Sequence, residues 1–188
     1  MDRPKLLIAG AGGFGRVVLE HAVKEYDCAF LDDGPETGAS VNGTPVIGRI
    51  GDLAKLHGEY ELLLVAIGNN ALRQKIYTAA SIAGYRFPNI LAENVYVSPY
   101  AHIGSGCVLL NNVVVQNNAF LGDGSILNPG VELHHDSSVG AYSLIYGNSV
   151  IRSLAKIGER VKIGSTLTIG NGVIVEDDSS IEDGQSIL

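Results

Sequence analysis

The strongest constraint on how this chain folds is an aliphatic residue at every sixth position from Val97 to Ile187, without one break. All sixteen positions in that register are Ile, Leu or Val, where chance would put such a residue at about a quarter to a third of sites. Four residues after each comes a mostly small or branched residue, as at Ala101, Cys107, Val113 and Ser125. Gly follows the ladder directly at Gly104, Gly122, Gly140, Gly158, Gly164 and Gly170. A period of six would scatter around an α-helix, and plain strand alternation would not single out every sixth residue. Six residues do make one flat face, with a short strand, a turn and one aliphatic side chain pointing inward. Three faces close a triangular coil, and successive coils stack at roughly 4.8 Å. The pattern predicts an all-β parallel β-helix of about five coils over residues 89–188. Composition agrees: 46% of residues are hydrophobic but only 6% aromatic, so the apolar content is aliphatic and suits stacked strands.

Residues 1–88 read as a separate α/β domain, Rossmann-like, with a parallel sheet. Lys5–Ala9 is a first strand, followed by Gly10-Ala11-Gly12-Gly13-Phe14-Gly15 and an amphipathic helix to about Tyr26. Cys28–Leu31 is a second strand that ends in Asp32-Asp33. Leu62–Ala66 is a third, running through Ile67-Gly68-Asn69-Asn70 into a helix that reaches Ala83. A Gly turn between strand and helix lets backbone N–H groups at the helix N-terminus approach phosphates. Asp32 lies 22 residues after Gly10, where an acid meets a ribose. A dinucleotide needs two mononucleotide-binding halves, for which this span is too short. A single nucleotide diphosphate carrying a further group fits the space, and a turn that merely packs helix on strand is the plain alternative.

The formal net charge is −7, with no basic tail, which argues against general affinity for nucleic acid or anionic membranes. Cys28 and Cys107 are the only cysteines, far apart in apolar surroundings. That argues against a disulfide framework or a Cys-based metal site and fits a reducing cytoplasm. The first apolar run is too short for a signal peptide, and no run approaches transmembrane length. The expectation is a cytoplasmic protein with no nucleic-acid or membrane partner.

Five histidines are present, of which His21 and His57 fall in helical surface patterns and His102 at a turn. His134 and His135 stand in Leu133-His134-His135-Asp136-Ser137-Ser138, directly after a ladder position, where side chains point outward near a corner. An imidazole beside a carboxylate is a general base poised near neutral pH. Taken alone, the cluster also reads as solvated surface or a weak metal site, although neighbours on a strand point to opposite sides and so do not chelate together. Beyond Ala92 the only basic residues are Arg152, Lys156, Arg160 and Lys162, all within eleven positions and set against ten acids. Such an island suits phosphates, or else is solubilising charge.

The stretch Asn128-Pro129-Gly130-Val131-Glu132-Leu133-His134-His135-Asp136, followed by Val139-Gly140, resembles a motif of the sialic-acid O-acetyltransferase and UDP-4-amino-sugar N-acetyltransferase family of hexapeptide-repeat proteins. Gly12-Gly13-Phe14, Asp32-Asp33 and Ile67-Gly68-Asn69-Asn70-Ala71-Leu72-Arg73 match that family's N-terminal segments in the same order, so the resemblance covers nearly the whole chain. It implies a left-handed β-helix, where the general crossover rule favours the right hand. It implies a homotrimer with active sites between subunits and a nucleotide-sugar substrate on the first domain. The diphosphate would lie near Gly12, Gly13 and Phe14, the nucleoside near Asp32 and Asp33, with Gly68 and Asn69 in the same site. Acetyl-CoA, as co-substrate, would lie between two β-helices against Leu144, Arg152, Ser153, Lys156 and Ser165. His135 would be the base, Asp136 its orienting carboxylate and Asn128 part of the pocket, with no metal required.

The chain departs from the family at three places. Many relatives carry His where Phe14 stands, and most carry a second His nine residues after the base, where this chain has Leu144. Relatives also close the last coil with a further segment, and an open strand edge after Leu188 would be an aggregation liability. The expected activity is acetyl-CoA-dependent N-acetylation of a nucleotide-linked, UDP-type amino sugar in bacterial surface glycan synthesis. O-acetylation of a sialic-acid-type sugar is one alternative. A non-catalytic nucleotide-sugar-binding trimer, suggested by Leu144 and Phe14, is the other.

Overall fold

A computed structural model of the chain describes residues 3–34 and 36–188. The chain divides into two compact units between Ile90 and Leu91.

The first unit holds strands β1 (Lys5–Ala9), β2 (Asp27–Leu31), β3 (Ser40–Val41), β4 (Thr44–Gly48) and β5 (Leu62–Val65) in the order β3-β4-β2-β1-β5. Helices α1 (Gly13–Ala22), α2 (Leu53–Leu56) and α3 (Asn70–Ile82) connect them. Strand β1 pairs in parallel with β2 and β5, and β2 with β4, so Leu6 to Ala9 are wholly buried, as central parallel strands require. The expected parallel sheet gains one antiparallel edge strand, because β3 and β4 form a hairpin. Its two-residue turn is Asn42-Gly43, both at positive φ, the turn whose twist matches the flanking strands. Helix α1 stops at Ala22 rather than near Tyr26. The chain leaves β1 toward β2 on one side and returns to β5 on the other. The loops after β1 and β5 therefore diverge at a topological switch point, where open α/β sheets hold ligands.

The second unit is a left-handed parallel β-helix whose two-residue strands stack in three sheets. One strand of each face defines it: Glu132–Leu133 on the first face, Ser138–Val139 on the second and Leu144–Ile145 on the third. Each pairs in parallel with a strand eighteen residues on, as in Leu133↔Ile151, Val139↔Ile157 and Ile145↔Ile163. From Leu109 to Ile169 every sixth-position side chain is at most 4% exposed. The second interior column includes Ser125, Ser143 and Ser149, all fully buried. Their hydroxyls donate to the carbonyls of Gly140, Gly158 and Gly164 and accept from the backbone N–H of Ser143, Val161 and Leu167, so no polar group is stranded.

The glycines after the ladder lock coil to coil. Asp177 Oδ1 accepts from the Glu159 N–H at 2.8 Å and would lie 2.4 Å from a Cβ added at Gly158. Asp123 makes the same arrangement over Ser105 and Gly104. A side chain at either glycine would occupy the space of the carboxylate from the next coil.

Candidate active site

The corner joining the first and second faces holds the imidazole cluster. His134 donates its backbone N–H to Ile151, and the Asp136 N–H donates to the Asn117 carbonyl, so the turn hangs between the coils on either side. Asp136 has φ 60, and the same left-handed place is taken by Asn118 one coil before and by Leu154 one coil after. Asp and Asn tolerate that region because a short polar side chain bonds locally. His135 Nδ1 lies 2.8 Å from Asp136 Oδ2, and Asn118 Nδ2 donates to Asp136 Oδ1 at 3.2 Å. The bond from His135, and after it the bond from Asn118, hold the Asp136 carboxyl below the usual carboxylate value. His135 Nε2 faces Ser153 Oγ at 2.9 Å, and the Gln116 side chain accepts from the His135 N–H. The neighbouring His134 turns instead toward Glu132, 3.2 Å away. Among the described residues no three His, Cys, Asp or Glu side chains converge as a ligand set for a metal ion.

The remaining predicted residues divide by corner. Arg152 and Ser153 stand directly over His134 and His135, one coil on. Lys156 opens a strand on the adjoining second face. Asn128 and Ser165 lie at the corner between the third and first faces, so within one chain they are not brought to His135. Leu144 is on the third face and only 4% exposed. The basic stretch thus wraps around the prism instead of forming one patch. Arg160, at the corner between the second and third faces, is bound by Glu159, Asp177 and Asp178. Lys162 lies over the Tyr146 ring at 5.7 Å. Arg152 and Lys156 have exposed side chains and no ion-pair partner among the described residues.

In the first unit the glycines of the turn separate into two kinds. Gly10, at φ 108, would put a Cβ 2.7 Å from the Ala66 carbonyl oxygen, and a Cβ at Gly15 would collide with the Gly10 carbonyl. Those two are required by packing. A Cβ at Gly12 meets nothing within 4 Å, and one at Gly13 meets only the tip of Arg16 at 4.0 Å. Packing gives no reason for Gly at 12 and 13, and both face open space at the N-terminus of α1, which has no side-chain cap. Phe14 follows within the first turn of that helix and is partly buried. Asp32 holds the turn, accepting from the Ala11 N–H at 2.7 Å and the Gly34 N–H at 2.8 Å. Asp33 accepts from Ile50, and Asn69 caps α3 by accepting from Leu72. Gly68 is exposed beside it.

Several partners escape a linear reading of the sequence. Ser153 and Asn118 complete the His135–Asp136 pair from eighteen residues away in either direction, so a register of eighteen would have exposed both. Arg73 is fully buried and ties the loop after β5 by donating to the Ile67 carbonyl and Asn70 Oδ1. Of the other histidines, His57 packs edge-on against Tyr85 and His102 stacks on Phe120, each with ring centroids 5.0 Å apart.

A prism of hexapeptide repeats with a carboxylate-backed imidazole on an outward corner marks an acyltransferase of the hexapeptide-repeat class. The comparisons agree. The family described as the PglD N-terminal domain matches residues 5–80, and that described as the GMPPB C-terminal domain matches residues 91–184. The acetyltransferase domain of PglB from Neisseria gonorrhoeae FA1090 is 33% identical, with a TM-score of 0.93 over 99% of this chain and 92% of that one. The same domain in complex with acetyl coenzyme A is 34% identical, with a TM-score of 0.87 over 98% and 95%. A histidine-to-asparagine variant of perosamine N-acetyltransferase from Caulobacter crescentus, in complex with CoA and GDP-perosamine, is 29% identical, with a TM-score of 0.70 over 97% and 92%. An uncharacterised protein of Acanthamoeba polyphaga mimivirus is 30% identical over 105 residues, and the chain spans 19% of the length of that curated relative. The chain belongs to the hexapeptide-repeat sugar acetyltransferases. No helix among the described residues is long and apolar enough to cross a membrane.

Proposed function

We propose that the chain transfers an acetyl group from acetyl-CoA to the amine of a nucleotide-linked amino sugar, as a cytoplasmic homotrimer serving bacterial surface glycan synthesis. The observation that carries this reading is His135 held through Nδ1 by an ionised Asp136, which leaves Nε2 as the basic nitrogen. His135 takes the proton of the attacking amine and afterwards protonates the departing thiolate. Arg152 and Lys156, free of ion pairs among the described residues, are the cations offered to phosphates of the donor. Gly12 and Gly13 let the diphosphate of the acceptor approach the backbone at the start of α1.

The same geometry supports a site shared between subunits, as in the proposed trimer. If Asn128, Ser165 and Leu144 act in the pocket that holds His135, they come from another subunit, because in one chain they lie on a different corner and face. Uracil is the base inferred from the resemblance, and guanine is carried by the sugar nucleotide of the Caulobacter relative.

Thiol release from acetyl-CoA, measured with a panel of UDP- and GDP-linked amino sugars, tests the reading. Turnover on at least one acceptor is expected, and His135→Ala should lower kcat by about 10²–10⁴-fold, the usual worth of a general base. Binding of nucleotide sugar without turnover on any acceptor would replace this reading with a non-catalytic binding trimer.

A further inference from the structure

The environment of Nε2 on His135 adds one residue to the chemistry. A neutral imidazole whose Nδ1–H is donated to a carboxylate has a single in-plane lone pair left, on Nε2. In this corner that lone pair meets Ser153 Oγ at 2.9 Å, while Asp136 Oδ2 lies 2.8 Å from Nδ1. A hydroxyl has one proton to donate and two lone pairs with which to accept. The Ser153 proton therefore points to Nε2, and the accepting side of its oxygen is left for another donor. Ser153 is 9% exposed, whereas the His135 side chain is 57% exposed, so the hydroxyl is the better fixed of the two. Its carbonyl accepts from the Gly172 N–H at 3.1 Å, and Ala155, two residues on, is fully buried in the interior column.

We propose that Ser153 relays the proton of the acceptor amine to His135. The inference rests on the reading of His135 as the base. An amine approaching the corner finds the lone pair of Nε2 engaged and donates instead to Ser153 Oγ. As the amine nitrogen bonds to the thioester carbonyl carbon, its proton passes to Ser153 Oγ and the Ser153 proton passes to Nε2. When the tetrahedral intermediate collapses, the C–S bond breaks and the imidazolium returns a proton to the sulfur. Ser153 and His135 end as they began, and the products are the amide and the free thiol. The relay also accounts for Ser at this corner, where the same place holds Asn117 two coils before, His135 itself one coil before and Asn171 one coil after. An amide has no proton that it can pass on and regain in this way.

Steady-state kinetics of the full chain with acetyl-CoA and the acceptor that turns over in the panel provide the test. Ser153→Ala should lose about 10–100-fold in kcat with both KM values within about twofold, since an interaction made only in the transition state is removed. Ser153→Thr, which keeps the hydroxyl, should recover most of that loss. In mixtures of light and heavy water the wild-type rate should fall along a bowed curve, from two protons in flight, and the Ser153→Ala rate along a straight line. A full rate for Ser153→Ala beside a strong loss in His135→Ala overturns the relay and leaves the base standing. Activity retained in His135→Ala overturns the base itself. An acetyl group found by mass spectrometry on Ser153, after acetyl-CoA alone, makes Ser153 a nucleophile and overturns the relay. Unchanged melting temperatures confine each result to chemistry.

Discussion

At the scale of single residues, Asp136 serves two needs at once. Its backbone takes the left-handed conformation that the corner demands, at φ 60, and its carboxylate holds His135 Nδ1. The hydrogen bond from His135 is the first cause of its lowered pKa and the bond from Asn118 the second. The sign follows: a carboxyl with a depressed pKa contributes its bonds above the unfolded value and loses them only as pH falls through the folded value. The His135–Asp136 pair should therefore persist through the ordinary carboxylate range. A carbon-detected NMR titration should place the Asp136 midpoint below 3.8, and the midpoint should rise further in His135→Ala than in Asn118→Ala. A midpoint at the ordinary value would contradict the geometry. The pair itself was legible in the sequence because its members are adjacent. Ser153 and Asn118 were not, since eighteen residues of chain separate contacts of about 3 Å.

At the scale of elements, the sixth-position ladder was readable because a closed prism admits one kind of side chain at its interior columns, whichever face bears it. The glycines after the ladder carried a second message that spacing alone did not deliver. At Gly158 the obstacle is Asp177, contributed by the following coil, so the reason for one residue lies nineteen positions further on. Gly158→Ala should destabilise by about 1–3 kcal/mol, as overpacking does, lowering the melting temperature by roughly 2–4 °C for each kcal/mol. Gly12→Ala, with nothing within 4 Å, should leave the melting temperature unchanged and weaken nucleotide-sugar binding. Equal effects on stability would remove the distinction between packing and ligand glycines. In the α/β unit β1, β2 and β5 were plain from their apolar runs. The β3–β4 hairpin had its Asn42-Gly43 signal, but a two-residue strand beside Pro45 shows no alternation to read.

At the scale of the whole molecule, charge was the least transparent property. Arg152, Lys156, Arg160 and Lys162 are close along the chain, yet six residues carry it across one face, so the four spread over two faces and two corners. In the folded prism Arg160 is spent on three acids while Arg152 stands beside the imidazole corner. The division of Asn128, Ser165 and Leu144 from His135 makes assembly the property to measure. Light scattering should give a mass about three times 19.8 kDa. A monomer that turns over acetyl-CoA at full rate would dismiss the shared site.

The stacking register also governs how such a chain tolerates insertion and deletion. The contacts of Asn118 and Ser153 with the imidazole corner link residues one coil apart, so a gain or loss of length within the repeat register is silent only when a whole coil enters or leaves. Any other indel absorbed into the repeat rotates all later residues onto different faces, and the coil that bears His135 tolerates none, because Asn118 and Ser153 must remain its neighbours above and below. Lineages of this architecture should differ in length by steps of one coil, placed away from the segment between 117 and 154.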